Sequence, residues 1–85
     1  MTHWVYMLRC KDKSLYTGYT NNLKKRLKAH RSGKGAKYTR GRGPLTLVYY
    51  KEVSSMSEGL KLERKIKKLK KEKKEDLVKD FALGE

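Results

Sequence analysis

Two tyrosines, Tyr6 and Tyr16, precede an arginine and a histidine, Arg26 and His30, and a lone acid, Glu63, stands downstream in a lysine-rich stretch. Hydrolysis of a phosphodiester needs a group that takes a proton from water, a cation beside the developing phosphorane charge, and a carboxylate for a hard metal ion. All three types are present, on different expected elements. A phenol of pKa about 10 is a weak base at neutral pH unless cations favour the phenolate, a task open to Arg26 and the nearby lysines. Either tyrosine qualifies as the proton acceptor.

Each residue also has an ordinary role. A strand tyrosine commonly packs with its hydroxyl at the rim of the sheet. Arg26 can be one more solvated helix cation, and Gly18 a simple bend at a strand end. His30 either favours a helix C-terminus electrostatically or assists proton transfer. Glu63 can pair with Lys67 one helical turn away. The combination, rather than any one side chain, carries the chemical reading.

Length and charge narrow the choices. The 85 residues fit one domain spanning 1–85, and 23 Lys and Arg against 9 Asp and Glu leave a net charge of +14. Such a chain repels itself when compact and seeks a polyanion such as nucleic acid; an acidic lipid surface is the weaker reading. Six tyrosines, Trp4, Phe81 and alternating apolar segments argue against disorder. Cys10 is the single cysteine, so it forms no internal disulfide, and with only His3 and His30 it assembles no zinc site. It is expected to be a small buried residue. No stretch approaches a membrane span and the strand-like pattern begins at once, which makes the cytoplasm the default expectation.

The elements that must position these groups follow from local pattern. His3 to Cys10 and Leu15 to Tyr19 read as strands joined by a polar turn, Lys11 to Ser14. If Tyr16 pairs with an even-numbered residue, it shares a sheet face with Tyr6; an odd-numbered partner separates them. Capping residues Thr20 to Asn22 precede a short helix, Leu23 to His30, ending near Ser32 and Gly33. Leu23 and Leu27 mark its buried stripe, Arg26 and His30 border it, and Lys24, Lys25 and Lys28 point away. From Gly33 to Gly43 a glycine-rich basic loop surrounds Tyr38, with one helical turn near Ala36 to Thr39, and Pro44 closes it.

Leu45 to Val53 reads as a third strand. Ser55 to Glu58 has capping-box spacing, and the helix beyond carries Leu62, Ile66 and Leu69 on one face, flanked by Gly59 and Glu63. Glu75 to Phe81 is expected to form a last helical turn or short helix against the sheet. The fold class is therefore α/β of the α+β type, a three-stranded antiparallel sheet flanked by helices.

With those residues in place, the chain resembles the GIY-YIG nuclease domain over nearly its full length. Tyr6 in Trp4-Val5-Tyr6 matches the first motif's tyrosine, and Tyr16-Thr17-Gly18 matches the second motif. Trp4 stands where the family has glycine and Thr17 where it has isoleucine; both suit a strand, and Trp4 narrows the groove. The run from Tyr16 to His30 is similar to the small single-domain bacterial members, the UPF0213-like proteins, and to the catalytic domain of the structure-specific branched-DNA endonuclease subunit.

The resemblance implies the order β-β-α-(short α)-β-α-α. It makes Arg26 the helix arginine, gives His30 a frequent histidine position, makes Tyr38 a further loop tyrosine, and assigns Glu63 the holding of one Mg²⁺ or Mn²⁺. It further implies an endonuclease acting on DNA rather than RNA, structure-selective rather than sequence-selective, with a role in repair or recombination. Gly18, Lys34, Lys37, Tyr38, Arg40 and Arg42 become substrate-binding candidates. The Lys61 to Lys74 face would hold the backbone without reading bases. Two rivals remain: a non-catalytic basic nucleic-acid-binding module, favoured by Trp4 and Thr17, and a partner subunit docked through residues 75–85.

Overall fold

A computed structural model describes residues 2–35 and 39–84. In chain order the elements are β1 (His3–Arg9), β2 (Leu15–Thr20), α1 (Leu23–Arg31), β3 (Thr46–Val53), α2 (Met56–Lys67) and α3 (Lys71–Leu83). The strands form one three-stranded sheet in the order β2-β1-β3, both pairings antiparallel. The expected α+β architecture is the one observed.

β1 is the central strand, and Val5, Tyr6, Met7 and Leu8 are all buried because helices cover both of its faces. Register puts Tyr6 opposite Gly18 and Leu8 opposite Tyr16. That even-numbered partner settles the open question: the two tyrosines share a face.

On this face Tyr6, Leu8, Cys10 and Leu45 pack with Tyr16, Leu23, Leu27 and Leu47, so α1 lies over it. On the other, Val5, Met7 and Ile66 pack with Val48, Tyr49, Leu62, Leu77 and Val78 from β3, α2 and α3. The β1–β3 register shifts between Met7 and Leu8, where Tyr49 and then Leu47 are the partners. The extra residue lets Leu47 face α1 while Val48 and Tyr49 face α2 and α3.

Caps fix the helix starts. Asn22 Oδ1 accepts the Lys25 N–H at 3.1 Å to open α1, and Gly33, with φ +80°, turns the chain away after it. Ser55 Oγ accepts the Glu58 N–H at 3.1 Å to open α2. The Glu58 carboxylate completes no reciprocal box, since it accepts instead from Ser54 Oγ at 2.5 Å. Gly59 is needed where α2 crosses the sheet, because a Cβ there would sit 2.6 Å from Tyr19 Cδ1.

The C-terminal region departs from expectation in two respects. Helix α2 ends at Lys67, so Leu69 lies in the connection, its N–H bonded to Ile66 O at 3.0 Å, and not on the helical stripe. The tail is also longer in helix than Glu75 to Phe81, since α3 runs from Lys71 to Leu83. A bidentate pair from Arg9 to Glu75, at 2.9 and 2.5 Å, and Lys71 Nζ donating to Lys13 O at 3.2 Å tie α3 to the first hairpin. The helical turn expected near Ala36 to Thr39 falls largely on 36–38, outside the described residues. Cys10 is buried and unpaired, as expected. Among the described residues no helix is long and apolar enough to cross a membrane.

Candidate active site

The even face of the sheet brings together four of the candidate side chains. Tyr6 has no exposed surface, and its Oη lies 2.7 Å from His30 Nε2. The other ring nitrogen, Nδ1, lies 2.9 Å from Thr39 Oγ1. His30 and Thr39 are themselves only 2% and 3% exposed, so this is a buried polar chain in which every member has a partner. Burial, with the Arg26 charge adding to it, holds the His30 pKa below its ordinary 6.5. The ring is therefore neutral at pH 7, with one nitrogen donating and one accepting. The phenol is the stronger acid of the pair, so the network assigns Tyr6 O–H as donor to Nε2 and Nδ1–H as donor to Thr39.

Tyr16 is half-buried and closes the cluster from β2, its ring 6.2 Å from Tyr6 and 5.2 Å from His30. Gly18 makes this packing possible. A Cβ on it would lie 2.5 Å from the Tyr6 hydroxyl and 3.0 Å from Tyr16 Cε2, so its contact in the structure is with the aromatic pair. Gly35 does the same for His30, since a Cβ there would collide with the imidazole.

Arg26, one turn before His30 on α1, interacts with the hydroxyls of Tyr6 and Tyr16, and chiefly the Tyr6 contact raises its pKa above the usual arginine value. Its Nε is buried with no hydrogen-bond partner among the described residues. Beside it runs a cleft of about 250 Å³ lined by Thr20, Asn21, Asn22, Lys25, Arg26 and Ala29. A larger cleft, about 540 Å³, lies behind His30 against Thr39, Gly41 and Pro44.

The cations that could favour a phenolate do not do so at Tyr6, where burial dominates and pushes the pKa up to about 12 against the opposing effect of Arg26. Tyr6 stays protonated.

Glu63 stands on α2, one turn after Gly59. Its helix packs Leu62 and Ile66 on the sheet face opposite Tyr6, and its side chain, 19% exposed, carries a carboxylate oxygen 3.4 Å from Lys67 Nζ. Among the described residues no three His, Cys, Asp or Glu side chains gather as a metal cage. A single carboxylate is a suitable donor for a hydrated hard cation such as Mg²⁺ or Mn²⁺, which retains most of its waters, provided Lys67 releases it.

The loop candidates divide. Lys34 and Arg40 are exposed. Arg42 Nη1 is 2.6 Å from Asp12 Oδ2, and its carbonyl accepts the Lys11 N–H at 2.8 Å, which pins the loop's end to the β1–β2 turn. Lys37 and Tyr38 lie outside the described residues. Sequence reasoning missed Thr39 and Gly35, because neither type is conspicuous in a loop of glycine, lysine and threonine. The one available signal was that a buried His30 must find a second partner.

Fold and site together define a small α+β domain with a tyrosine–histidine–arginine centre on one sheet face. Residues 2–76 match the GIY-YIG catalytic domain, and the chain belongs to that family. A UPF0213 protein of Oceanobacillus iheyensis is 55% identical over 76 residues, covering 89% of this chain and 88% of the relative. The solution structure of the UPF0213 protein BH0048 of Bacillus halodurans aligns with a TM-score of 0.62 at 53% identity, covering 93% of this chain and 84% of that one. The solution structure of the E. faecalis protein EF2693 aligns with a TM-score of 0.66 at 40% identity, covering 98% and 88%.

Proposed function

We propose that the protein is a metal-dependent endonuclease that hydrolyses phosphodiester bonds in DNA, selecting structure rather than sequence, with a role in repair or recombination. The observation that carries this reading is the Arg26 guanidinium. Its buried Nε has no acceptor among the described residues and it lies against two phenols at the edge of a basic cleft, an arrangement suited to a phosphoryl oxygen.

Water attacks the phosphorus in line, and its proton goes to the Tyr16 hydroxyl, the less buried of the two phenols. Tyr16 passes its own proton to Tyr6, and Tyr6 passes its proton to His30 Nε2 across the 2.7 Å contact. No phenolate forms, which matters because the Tyr6 pKa of about 12 forbids one at neutral pH. Thr39 holds the imidazole orientation, and Arg26 stabilises the phosphorane charge. Glu63 would hold the metal, and a hydrated Mg²⁺ or Mn²⁺ there would supply positive charge to stabilise the leaving oxygen. Lys34, Lys37, Arg40 and Arg42 contribute sequence-independent attraction for the strand, with Tyr38 as a further contact, while Gly18 leaves room for the aromatic pair.

The test is cleavage of single-stranded, nicked and branched DNA with Mg²⁺ by the wild type, Arg26→Ala and Glu63→Ala. Wild-type cleavage with at least about 100-fold loss in both variants, at unchanged melting temperature, is the expected outcome. Equal rates in all three, or none in the wild type, overturn the proposal. The Glu63–Lys67 pair favours one alternative, a basic binding module that retains the fold without turnover. Salt-sensitive DNA binding with no cleavage and no metal affinity would select it.

A further inference from the structure

Trp4 and Tyr50 form an aromatic pair that the chemistry above does not use. They project from β1 and β3 with ring centroids 5.9 Å apart at 69°, and Phe81 of α3 packs on Tyr50 at 4.9 Å and 67°. Trp4 is thus braced through two rings to a helix, while it remains half-exposed and Tyr50 is 39% exposed. Trp4 lines a cleft of about 420 Å³ with Asn21, Asn22, Leu23, Lys24 and Leu27. This cleft and the Arg26 cleft share Asn21 and Asn22, so the two open on either side of the start of α1.

We propose that the Trp4 cleft is a stacking site for one unpaired nucleobase of a strand whose phosphate lies at Arg26. Aromatic faces stack any base, and a tryptophan braced edge-on by a tyrosine loses little freedom when a base arrives. Charge sorts the two parts of a nucleotide. Lys25 and Arg26 line one cleft and Lys24 the other, whereas Glu52, the exposed cross-strand partner of Trp4, repels phosphate from the far side. A base held in a duplex cannot reach the ring without leaving its stack, so the site favours single-stranded or frayed segments. The inference rests on the nucleic-acid reading above but not on turnover.

Trp4 is the chain's single tryptophan, so its fluorescence reports on this site alone. The experiment titrates the wild type, with EDTA present, with octathymidylate, an abasic chain of equal length and a duplex hairpin, exciting at the red edge where tyrosine is silent. Octathymidylate is expected to quench Trp4 strongly, and the abasic chain and hairpin to bind with little quenching. Trp4→Leu is expected to weaken octathymidylate binding about tenfold and abasic binding hardly at all. Equal quenching by the abasic chain, or unchanged octathymidylate affinity in a folded Trp4→Leu protein, overturns the site. If Trp4→Leu does not fold, the wild-type comparison of thymidylate with abasic chain decides alone. Absence of cleavage would sink the nuclease reading and leave the quenching result standing.

Discussion

The two faces of the sheet are built for different ends. Beneath α2 and α3, Val5, Met7 and Ile66 form an apolar cluster with Val48, Leu62, Leu77 and Val78, and burial holds the helices there. Beneath α1, the same central strand places Tyr6 against an imidazole, a guanidinium and a second phenol, and glycines at 18 and 35 clear the space. The difference teaches where stability and chemistry are separable. Damage to the apolar face should leave the polar cluster's geometry in place, whereas damage to the polar face should disturb packing and the proposed chemistry together.

The largest expected effect is on the apolar side. Ile66→Ala, at a residue 2% exposed, should destabilise by about 2–5 kcal/mol in urea unfolding, while DNA affinity per folded molecule is unchanged. A cost below about 1 kcal/mol would mean that α2 is not held by this face.

Gly18→Ala comes next, at about 1–3 kcal/mol, because the new methyl meets the Tyr6 hydroxyl at 2.5 Å. Unlike Ile66→Ala it should also reduce cleavage, by displacing Tyr6 from His30. Full activity in that variant would break the claimed link between packing and chemistry.

A smaller effect is expected from pH. The folded His30 pKa lies below its ordinary 6.5, so the unfolded chain takes up the proton first. Stability is full above about 6.5 and declines as pH falls through the folded value. Melting temperatures between pH 7 and pH 5 should therefore fall more in the wild type than in His30→Gln; parallel curves would show that His30 is not held neutral. Smallest is a gain. Thr17 Oγ1 is buried with no partner among the described residues, and Thr17→Val should stabilise by about 1 kcal/mol in urea unfolding without changing the cleavage rate.

Much of this was legible in the sequence because local pattern controls it. Strand alternation, the caps at Asn22 and Ser55 and the Leu23–Leu27 stripe fixed the hairpin, α1 and the start of α2. Two C-terminal helices were expected, but the position of the break between them was hidden, since the segment around Lys68 to Lys70 contains neither glycine nor proline. Tyr6, Tyr16, Arg26 and His30 could be nominated from type and spacing. Their electrostatics could not be read, because the Tyr6 pKa depends on burial by residues distant in the chain. Thr39 escaped because its importance arises from one contact across the fold, not from its neighbours.

That threonine is where the glycine-rich basic segment is fastened into the protein's interior. Its hydroxyl on His30 Nδ1 links that segment to the residue proposed to receive the proton. Under the proposed mechanism, lysines and arginines around it can be exchanged without retuning the acid–base behaviour of His30. Only the peg must stay in its socket.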